Sequence, residues 1–260
     1  MIKTPDFFNI TIRNGVLYGY VIDVINRASE LVILAVGMTL VTAASGGQDI
    51  SVGAVMAVAA AVCCQILSGG ASSVTAYQNS LVLAVIAALL ASALCGAFNG
   101  LLVAKLNIQP MVATLILYTA GRGIAQLVTN GQITYIRVES FQMAGGYIGK
   151  SPVPTPVLFA IVTVVIAIIV VLIIAVLLKY FKFGRKLYAI GGNRQSALMM
   201  GLDVKKTMFR AYVLDGFLAG LGGFLFCLNS CAGFVEQAKG LEMDAILSLI
   251  HISEPTRPSG

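Results

Sequence analysis

The sequence predicts an all-α fold, a polytopic bundle of transmembrane helices with about six spans. Hydrophobic residues make up 58% of the 260 residues and charged residues only 11%, whereas soluble domains carry about 25% charged residues. The hydrophobic runs are long and uniform, without the alternation that is typical of a transmembrane β-barrel. One basic loop, residues 179–210, holds eight of the seventeen Lys and Arg residues and follows an uncharged run. Together these observations predict an integral membrane protein built from helices.

The first two apolar runs cover residues 31–48 and 51–68, after a polar segment of mixed charge at residues 1–30. The short polar stretch 46–51 separates them by little more than one helical turn. The two runs therefore form either a tight helical hairpin or one helix that is broken inside the membrane.

Four further apolar runs follow, each close to or above the roughly 20 residues that cross a hydrocarbon core. Pro110 suits the first turn of the second of these helices. The connections are the polar loops 69–79 and 129–155 and a turn that follows Lys105. The four runs are residues 81–104, 111–128, 156–178 and 211–235.

The basic loop 179–210 sets the orientation of the predicted spans. A short loop rich in Lys and Arg beside a span is typical of the cytoplasmic side of a membrane. Counting back along the chain puts the turn at Lys105 inside and the loops 69–79 and 129–155 outside. The segment 1–30 then also lies outside, and such a start predicts that a first span precedes it in the intact protein.

The last residues, 247–260, depart from the pattern of the chain before them. They carry two prolines, mixed charge and His251, the only histidine, after an apolar helix start at Ala245. We therefore expect residues 1–246 to form a partial transmembrane domain and residues 247–260 to be a non-native tail.

Composition and motifs predict neither an enzyme nor a cofactor or metal site. The chain lacks the GxxxxGK[ST] motif of a P-loop ATPase, so any ATP-driven activity needs a partner. The net charge of +6 is concentrated in the basic loop beside a span, which argues against a nucleic-acid partner. The cysteines all lie in apolar runs, where they are expected to fill the core rather than bind a metal; they are Cys63, Cys64, Cys95, Cys227 and Cys231.

Asp49 is the strongest candidate for a functional residue, because it is the only charged residue between positions 31 and 104. A charge at membrane depth is costly and commonly faces a cavity. Gly46 and Gly47 allow the backbone to unwind beside it, which is tolerated where the backbone lines a water-filled path. Gly46, Gly47, Asp49 and Ser51 are therefore candidates for a substrate path or gate. Alternatively, Asp49 or Ser51 caps the next helix at a cytoplasmic hairpin.

Two more polar residues within predicted spans, Asn99 and Arg122, are candidates for the substrate path. The alternative for Asn99 is a hydrogen bond between helices, which is a common role of such side chains. The alternatives for Arg122 are an ion pair with Asp49 or Asp215, or extension to the outer interface.

Asp215 itself begins a glycine-rich stretch of the last span, near the basic loop. We expect it to pair with Lys206 or Arg210 at the membrane interface. Residues 96–100 and 216–220 both carry the GxxxG pattern, which permits close packing of helices.

The basic loop also carries the pattern of a short helix. Asn193 suits the N-cap of the segment RQSALMM, and Gly201 suits a left-handed residue at its end. The loop is therefore either a cytoplasmic docking helix or a solvated loop that only fixes orientation.

Several stretches resemble the permease subunits of bacterial ribose-type ABC sugar importers. GMTLVTAASGGQDISVGAVMAVAAA resembles a GGIDLSVGA-containing stretch of that family, and FGRKLYAIGGNRQSALMMGLDVKK resembles its cytoplasmic GGN-containing loop. NGLLVAKLNIQPMVATLILYTAGRGIAQLVTNGQ is similar to the galactofuranose-importer branch, and LEMDAI to the start of a later helix. The resemblance covers residues 1–246. Gln48 departs from it, since the family usually has an aliphatic residue there.

The resemblance implies a permease of about ten spans that imports a monosaccharide of the galactofuranose, ribose or galactose class. Its implied partners are a cytoplasmic ABC ATPase, a periplasmic sugar-binding protein, a second copy or paralogue of the permease, and membrane lipid. The resemblance also implies that the basic loop is the element that couples to the ATPase. The implied coupling residues are Gly184, Arg185, Ala189, Gly191, Gly192, Asn193, Arg194, Ala197 and Gly201.

Two other functional hypotheses stay open from the sequence. One is a secondary transporter that uses Asp49 or Arg122 for ion coupling and needs no ATPase. The other is a membrane fragment that does not transport.

Overall fold

The helical bundle predicted from the sequence is observed in a computed structural model of the chain. The structure describes residues 11–13, 16–18, 20–144 and 155–253, with side chains within 24–142 and 162–248. The helices are α1 (Tyr20–Ser45), α2 (Val52–Ser68), α3 (Leu81–Ala104), α4 (Pro110–Val128), α5 (Glu139–Ala144), α6 (Thr155–Tyr180), α7 (Lys182–Gly192), α8 (Arg194–Met199), α9 (Val204–Ser230) and α10 (Leu241–Ser253). The strands are β1 (Thr11–Arg13), β2 (Val16–Tyr18), β3 (Ser73–Val74), β4 (Thr134–Ile136) and β5 (Ala232–Gly233).

Within the described residues, five helices are long and apolar enough to cross a membrane, namely α1, α3, α4, α6 and α9. Helix α2 is a shorter apolar helix of 17 residues. Each predicted span therefore corresponds to a helix, and the bounds predicted for α3 agree with those observed. The predicted start of α9 at residue 211 is wrong, because Lys205, Lys206 and Arg210 lie on the exposed side of its first turns.

A small sheet joins three helix ends, which identifies one end of the bundle. β3 pairs in parallel with β4, and β4 pairs antiparallel with β5. Because these strands follow α2, α4 and α9, those three helices all end at what we call the sheet end. Helix α3 runs away from it, so Lys105 and the start of α4 lie at the opposite end, together with α7 and α8. We call this the basic end.

Helix α1 also ends at the basic end, so α1 and α2 form the two arms of a helical hairpin. Gly47, just after α1, packs against Pro110 at the start of α4, and Gly191 of α7 packs against the Ala43 carbonyl. The hairpin is open rather than tight, since both arms pack mainly on α9. Helix α2 is the central helix, with most of its residues buried.

Glycine permits the close contact between α3 and α9, the most extensive helix pair in the structure. Cβ atoms added at Gly96 or Gly216 would collide with the backbone of the facing helix, since a Cβ at Gly216 would lie 2.7 Å from the Gly96 Cα. Real Cβ atoms essentially never approach another atom that closely. The close packing predicted from the two GxxxG patterns is therefore confirmed.

The cysteines line helix interfaces, as their apolar surroundings predicted. Cys64 of α2 and Cys227 of α9 bring their sulfur atoms within 3.1 Å. Cys63 and Cys231 are buried as well, and Cys95 is half-buried. Cys63, Cys64, Cys227 and Cys231 belong to one buried cluster and fill space between α2 and the end of α9 as small side chains.

Two predictions fall partly outside the described residues. The segment 1–30 and the loop 129–155 both include positions that the structure does not describe. Helix α10 extends from Leu241 through residue 246 to Ser253, and the expectation of a non-native tail at 247–260 stays a prediction.

Candidate functional site

The chain between α1 and α2 leaves the helical conformation at residues 46–51, as the glycines predicted. Gly46 has φ +69°, a left-handed value that glycine adopts without a steric penalty. Its N–H still donates to the Thr42 carbonyl at 2.9 Å. The Ile50 N–H donates to Thr114 Oγ1 of α4 at 3.3 Å. The Ile50 N–H thus ties the turn to α4.

Asp49 lies in a buried polar cluster at this turn. Its Oδ1 accepts hydrogen bonds from the Ser51 N–H at 2.7 Å and the Ser51 hydroxyl at 2.6 Å. The Asn99 amide of α3 donates to Asp49 Oδ2 at 3.3 Å and to Ser51 Oγ at 2.9 Å. Asp49 is only 3% exposed, and Ser51 and Asn99 are fully buried. Asp49 therefore holds the start of α2 and also cross-links it to α3.

Asp215 of α9 completes this cluster, which corrects the prediction that it pairs with Lys206 or Arg210. Its carboxyl group lies within hydrogen-bonding reach of Asp49 and is 1% exposed. Lys206 instead pairs with Asp203 at 2.8 Å. The prediction failed because Asp215 projects into the bundle from α9, whereas both bases are exposed.

The buried cluster lies near the basic end rather than at the middle of the bundle. Asn99 precedes the end of α3 at Ala104 by five residues, a rise of about 8 Å at 1.5 Å per residue. The Tyr212 hydroxyl lies on the same side and donates to Ser45 Oγ at 3.4 Å. Sequence reasoning missed Tyr212 and Thr114, because nothing in their local sequence distinguishes them from ordinary residues of a span.

Arg122 is not part of this cluster, and neither predicted ion pair is formed. Its Nη1 donates to the carbonyls of Val235 at 2.6 Å and Gln237 at 2.7 Å. The guanidinium carbon also lies 5.6 Å from the centre of the Tyr118 ring. Arg122 thus anchors the segment between α9 and α10, which no local pattern in the sequence predicts.

Another buried acid, Glu242 of α10, lies against the first turn of α2. Its carboxyl group contacts Gly53 so closely that a side chain at Gly53 would collide with it. A carboxylate at a helix N-terminus is favourable, because the helix dipole is positive there. Gly53 is therefore required for the approach of α10 to α2.

The basic loop folds into two short helices, α7 and α8. The Asn193 side chain accepts hydrogen bonds from the backbone N–H groups of Gln195 and Ser196, both at 3.0 Å. Gly201 follows α8 with φ +75°. Both capping predictions are confirmed, so the loop is structured rather than irregular.

Helix α7 was not predicted, because its glycines disfavour a helix in isolation. Its buried residues, Gly184, Leu187 and Ile190, are spaced three apart and face the bundle. A Cβ on Gly191 would lie 2.7 Å from the Ala43 carbonyl oxygen of α1. Contact between α7 and α1 therefore occurs three residues before Gly46, directly beside the buried cluster.

The remaining candidate residues of the basic loop are mostly exposed. Ala197 is fully buried and Ala189 is half-buried. Arg185, Gly192 and Arg194 face solvent. The loop also exposes a set of large apolar side chains, namely Tyr188, Leu198, Met199 and Met200.

The N-terminus of α9 is capped outside the span by Asp203, whose Oδ1 accepts from the Lys206 N–H at 3.1 Å. The hydrogen bonds from Lys206 hold the pKa of the Asp203 carboxyl below its usual value. Between β5 and α10, the ammonium of Lys239 likewise lowers the pKa of the Glu236 carboxyl.

The chain is similar to known permeases over nearly its whole length. A family model described as "branched-chain amino acid transport system / permease component" matches residues 20–251. The galactofuranose transporter permease protein of Escherichia coli is 36% identical over 95% of this chain and 67% of its own length. The ribose import permease protein of Escherichia coli is 33% identical over 95% of this chain and 70% of its own length.

A fructose import permease protein of Bifidobacterium longum is 34% identical over 92% of this chain and 64% of its own length. The chain thus spans about two thirds of the length of these relatives. No solved structure matches it. With its apolar helices and these similarities, the chain belongs to this family of transport permeases and is a multi-pass protein of the bacterial inner membrane.

Proposed function

We propose that the chain is the membrane-spanning part of an ABC importer for a monosaccharide of the galactofuranose, ribose or galactose class. The substrates of the related galactofuranose, fructose and ribose permeases support this substrate class. The chain acts as a transport subunit rather than an enzyme, and residues 1–246 form its transmembrane domain. A cytoplasmic ATPase, a periplasmic sugar-binding protein and a second permease complete the transporter.

The observation that carries the proposal is the contact between the α7–α8 loop and the end of α1. Gly191 approaches the Ala43 carbonyl, and the chain then turns at Gly46 into the cluster around Asp49. A displacement of α7 by a partner would therefore act on the turn directly. Interfaces of this kind transmit small shifts because packed elements are not continuously deformable.

In this proposal the α7–α8 loop binds the ATPase. Its exposed apolar side chains, including Met199 at 82% exposure, are unusual for a surface unless a partner covers them. Arg185 and Arg194 provide charge beside this apolar surface. The coupling residues are Gly184, Arg185, Ala189, Gly191, Gly192, Asn193, Arg194, Ala197 and Gly201.

The substrate path is proposed to run beside the turn between α1 and α2. Gly46, Gly47, Asp49, Ser51 and Asn99 form its inner gate. The cluster supplies carboxylate, hydroxyl and amide groups, the donors and acceptors that a sugar requires. Arg122 has a different part, because it holds the segment after α9 in place at the sheet end of the path.

The test is charge reversal in the intact transporter, with sugar uptake and ATP hydrolysis both measured in proteoliposomes. Arg185→Glu and Arg194→Glu are expected to reduce sugar uptake and its stimulation of ATP hydrolysis. Lys179→Glu, outside the coupling residues, is the matched control. Uptake that proceeds on an ion gradient without ATP would contradict the proposal and favour a secondary transporter.

A further inference from the structure

A groove opens between α3 and α9 at the basic end of the bundle, outside the buried cluster and the α7–α8 loop. The two helices touch at Gly100, where a Cβ would lie 3.1 Å from Phe209 Cδ2. One turn further on they separate and leave a cavity of about 380 Å³. Leu101, Ala104 and Phe209 form its apolar floor.

The rim of this groove is basic. Lys105 comes from the end of α3, and Lys205 and Arg210 come from the first turns of α9. All three are exposed, and no acidic side chain pairs with them among the described residues. Lys206 also lines the groove, but Asp203 offsets its charge through an ion pair of 2.8 Å.

The groove lies where the membrane meets water. Lys105 follows directly after the apolar span α3, so it marks the end of the hydrocarbon region on this helix. Leu101 and Leu106 are 40% and 60% exposed beside it. The apolar floor is therefore continuous with the lipid-facing surface of α3, and the cations lie at headgroup level.

We propose that this groove binds one anionic phospholipid of the surrounding bilayer. The phosphate group would lie between Lys105, Lys205 and Arg210, and an acyl chain would follow Leu101 and Phe209 toward the bilayer. Basic pockets between transmembrane helices commonly bind such headgroups. A soluble anion would leave the apolar floor exposed, which is why a lipid fits this groove better. The proposal does not depend on the coupling role of α7 and α8.

The test uses the absence of tryptophan from the chain. Phe209→Trp places a single fluorophore in the floor of the groove, and the full chain is reconstituted in bilayers of a zwitterionic lipid. Small amounts of phosphatidylglycerol or phosphatidylcholine with brominated acyl chains are then added as quenchers. We expect quenching by phosphatidylglycerol at lower mole fractions than by phosphatidylcholine, and a preference that weakens with salt.

Matched variants assign the preference to the groove. In the Phe209→Trp background, Lys105→Gln and Lys205→Gln together should reduce the preference by about fivefold per cation removed. Lys179→Gln and Lys182→Gln, which remove two exposed charges elsewhere in the basic region, should leave it unchanged. A tryptophan at the exposed position Leu94, in the middle of α3, should show no headgroup preference.

Equal quenching by the two lipids at Phe209→Trp would overturn the proposal. So would a preference that is the same at Leu94→Trp, or one that Lys179→Gln and Lys182→Gln abolish. Native mass spectrometry of the purified chain provides a second readout, in which one phosphatidylglycerol should stay bound and be lost in the Lys105→Gln, Lys205→Gln variant.

Discussion

The turn between α1 and α2 and the α7–α8 loop are neighbours, but they differ in how far their side chains are buried by the rest of the chain. At the turn, Asp49 is 3% exposed and its hydrogen bonds are made within the chain. In the loop, the Met199 side chain is 82% exposed and is left uncovered by the part of the chain that the structure describes. The polar groups of the turn are satisfied within the chain, whereas in the proposed function the ATPase covers the exposed side chains of the loop. Substitutions at the turn should therefore affect folding, and exposed substitutions in the loop should affect assembly.

The largest expected effect follows from Asp49→Ala. It leaves the Ser51 N–H, the Ser51 hydroxyl and the Asn99 amide without their carboxylate acceptor in a buried site. Each such group costs about 1–3 kcal/mol, so the free energy of unfolding should fall by at least about 3 kcal/mol. Chemical unfolding in detergent micelles measures this change.

Asp49→Asn is the matched variant. It keeps an acceptor oxygen, so its free energy of unfolding should fall by less than that of Asp49→Ala. Lys182→Ala, a substitution at the exposed first residue of α7, should change the unfolding free energy by no more than about 0.5 kcal/mol. If Asp49→Ala lowered the free energy of unfolding no more than Lys182→Ala, the hydrogen bonds of Asp49 would not stabilise the fold.

Two adjacent glycines in α7 show the same contrast between a buried contact and an exposed position. A Cβ at Gly191 would lie 2.7 Å from the Ala43 carbonyl, whereas one at Gly192 would meet nothing within 4 Å. Gly191→Ala should therefore lower the free energy of unfolding by about 1–3 kcal/mol through overpacking. Gly192→Ala should raise it by about 0.5 kcal/mol, because alanine favours a helix over glycine. Equal effects of the two substitutions would rule out the close contact with α1.

A smaller and local effect is expected from Asn193→Ala. The side chain caps α8 through the N–H groups of Gln195 and Ser196, and loss of such a cap costs about 1 kcal/mol. Amide hydrogen exchange should accelerate at these two residues and stay unchanged in α3. Faster exchange throughout the bundle would mean that the loop stabilises the whole fold.

The smallest effect is expected from Asp215→Asn. The amide has nearly the same shape as the carboxyl group and can donate a hydrogen bond to the Asp49 side chain, so the free energy of unfolding should change by less than about 1 kcal/mol. Chemical unfolding in detergent micelles measures this change. A decrease as large as that of Asp49→Ala would contradict the prediction.

Local patterns in the sequence predicted the parts of the structure that depend on neighbouring residues. The cap at Asn193 and the left-handed Gly201 involve residues within a few positions of each other. The bounds of α3 follow from a run of uncharged residues between Ser80 and Lys105. Even the close contact of α3 with α9 was indicated, because GxxxG places glycines on one helix face.

Contacts between distant residues could not be predicted in the same way. Asp215 pairs with Asp49 across 166 positions of sequence, and its nearer bases Lys206 and Arg210 suggested the wrong partner. Arg122 binds carbonyls more than one hundred positions away. Strands of two or three residues such as β3 and β4 carry too little pattern to be recognised, although they align three helix ends.

The coupling contact between Gly191 and Ala43 can be tested most directly by the amount of sugar imported per ATP hydrolysed. This ratio is measured in the reconstituted intact transporter for Gly191→Val and for the control Lys179→Gln. We predict that Gly191→Val lowers the ratio at least tenfold, the change that about 1.4 kcal/mol produces, while ATP hydrolysis continues and the control is unchanged. An unchanged ratio in a correctly assembled Gly191→Val transporter would contradict the account.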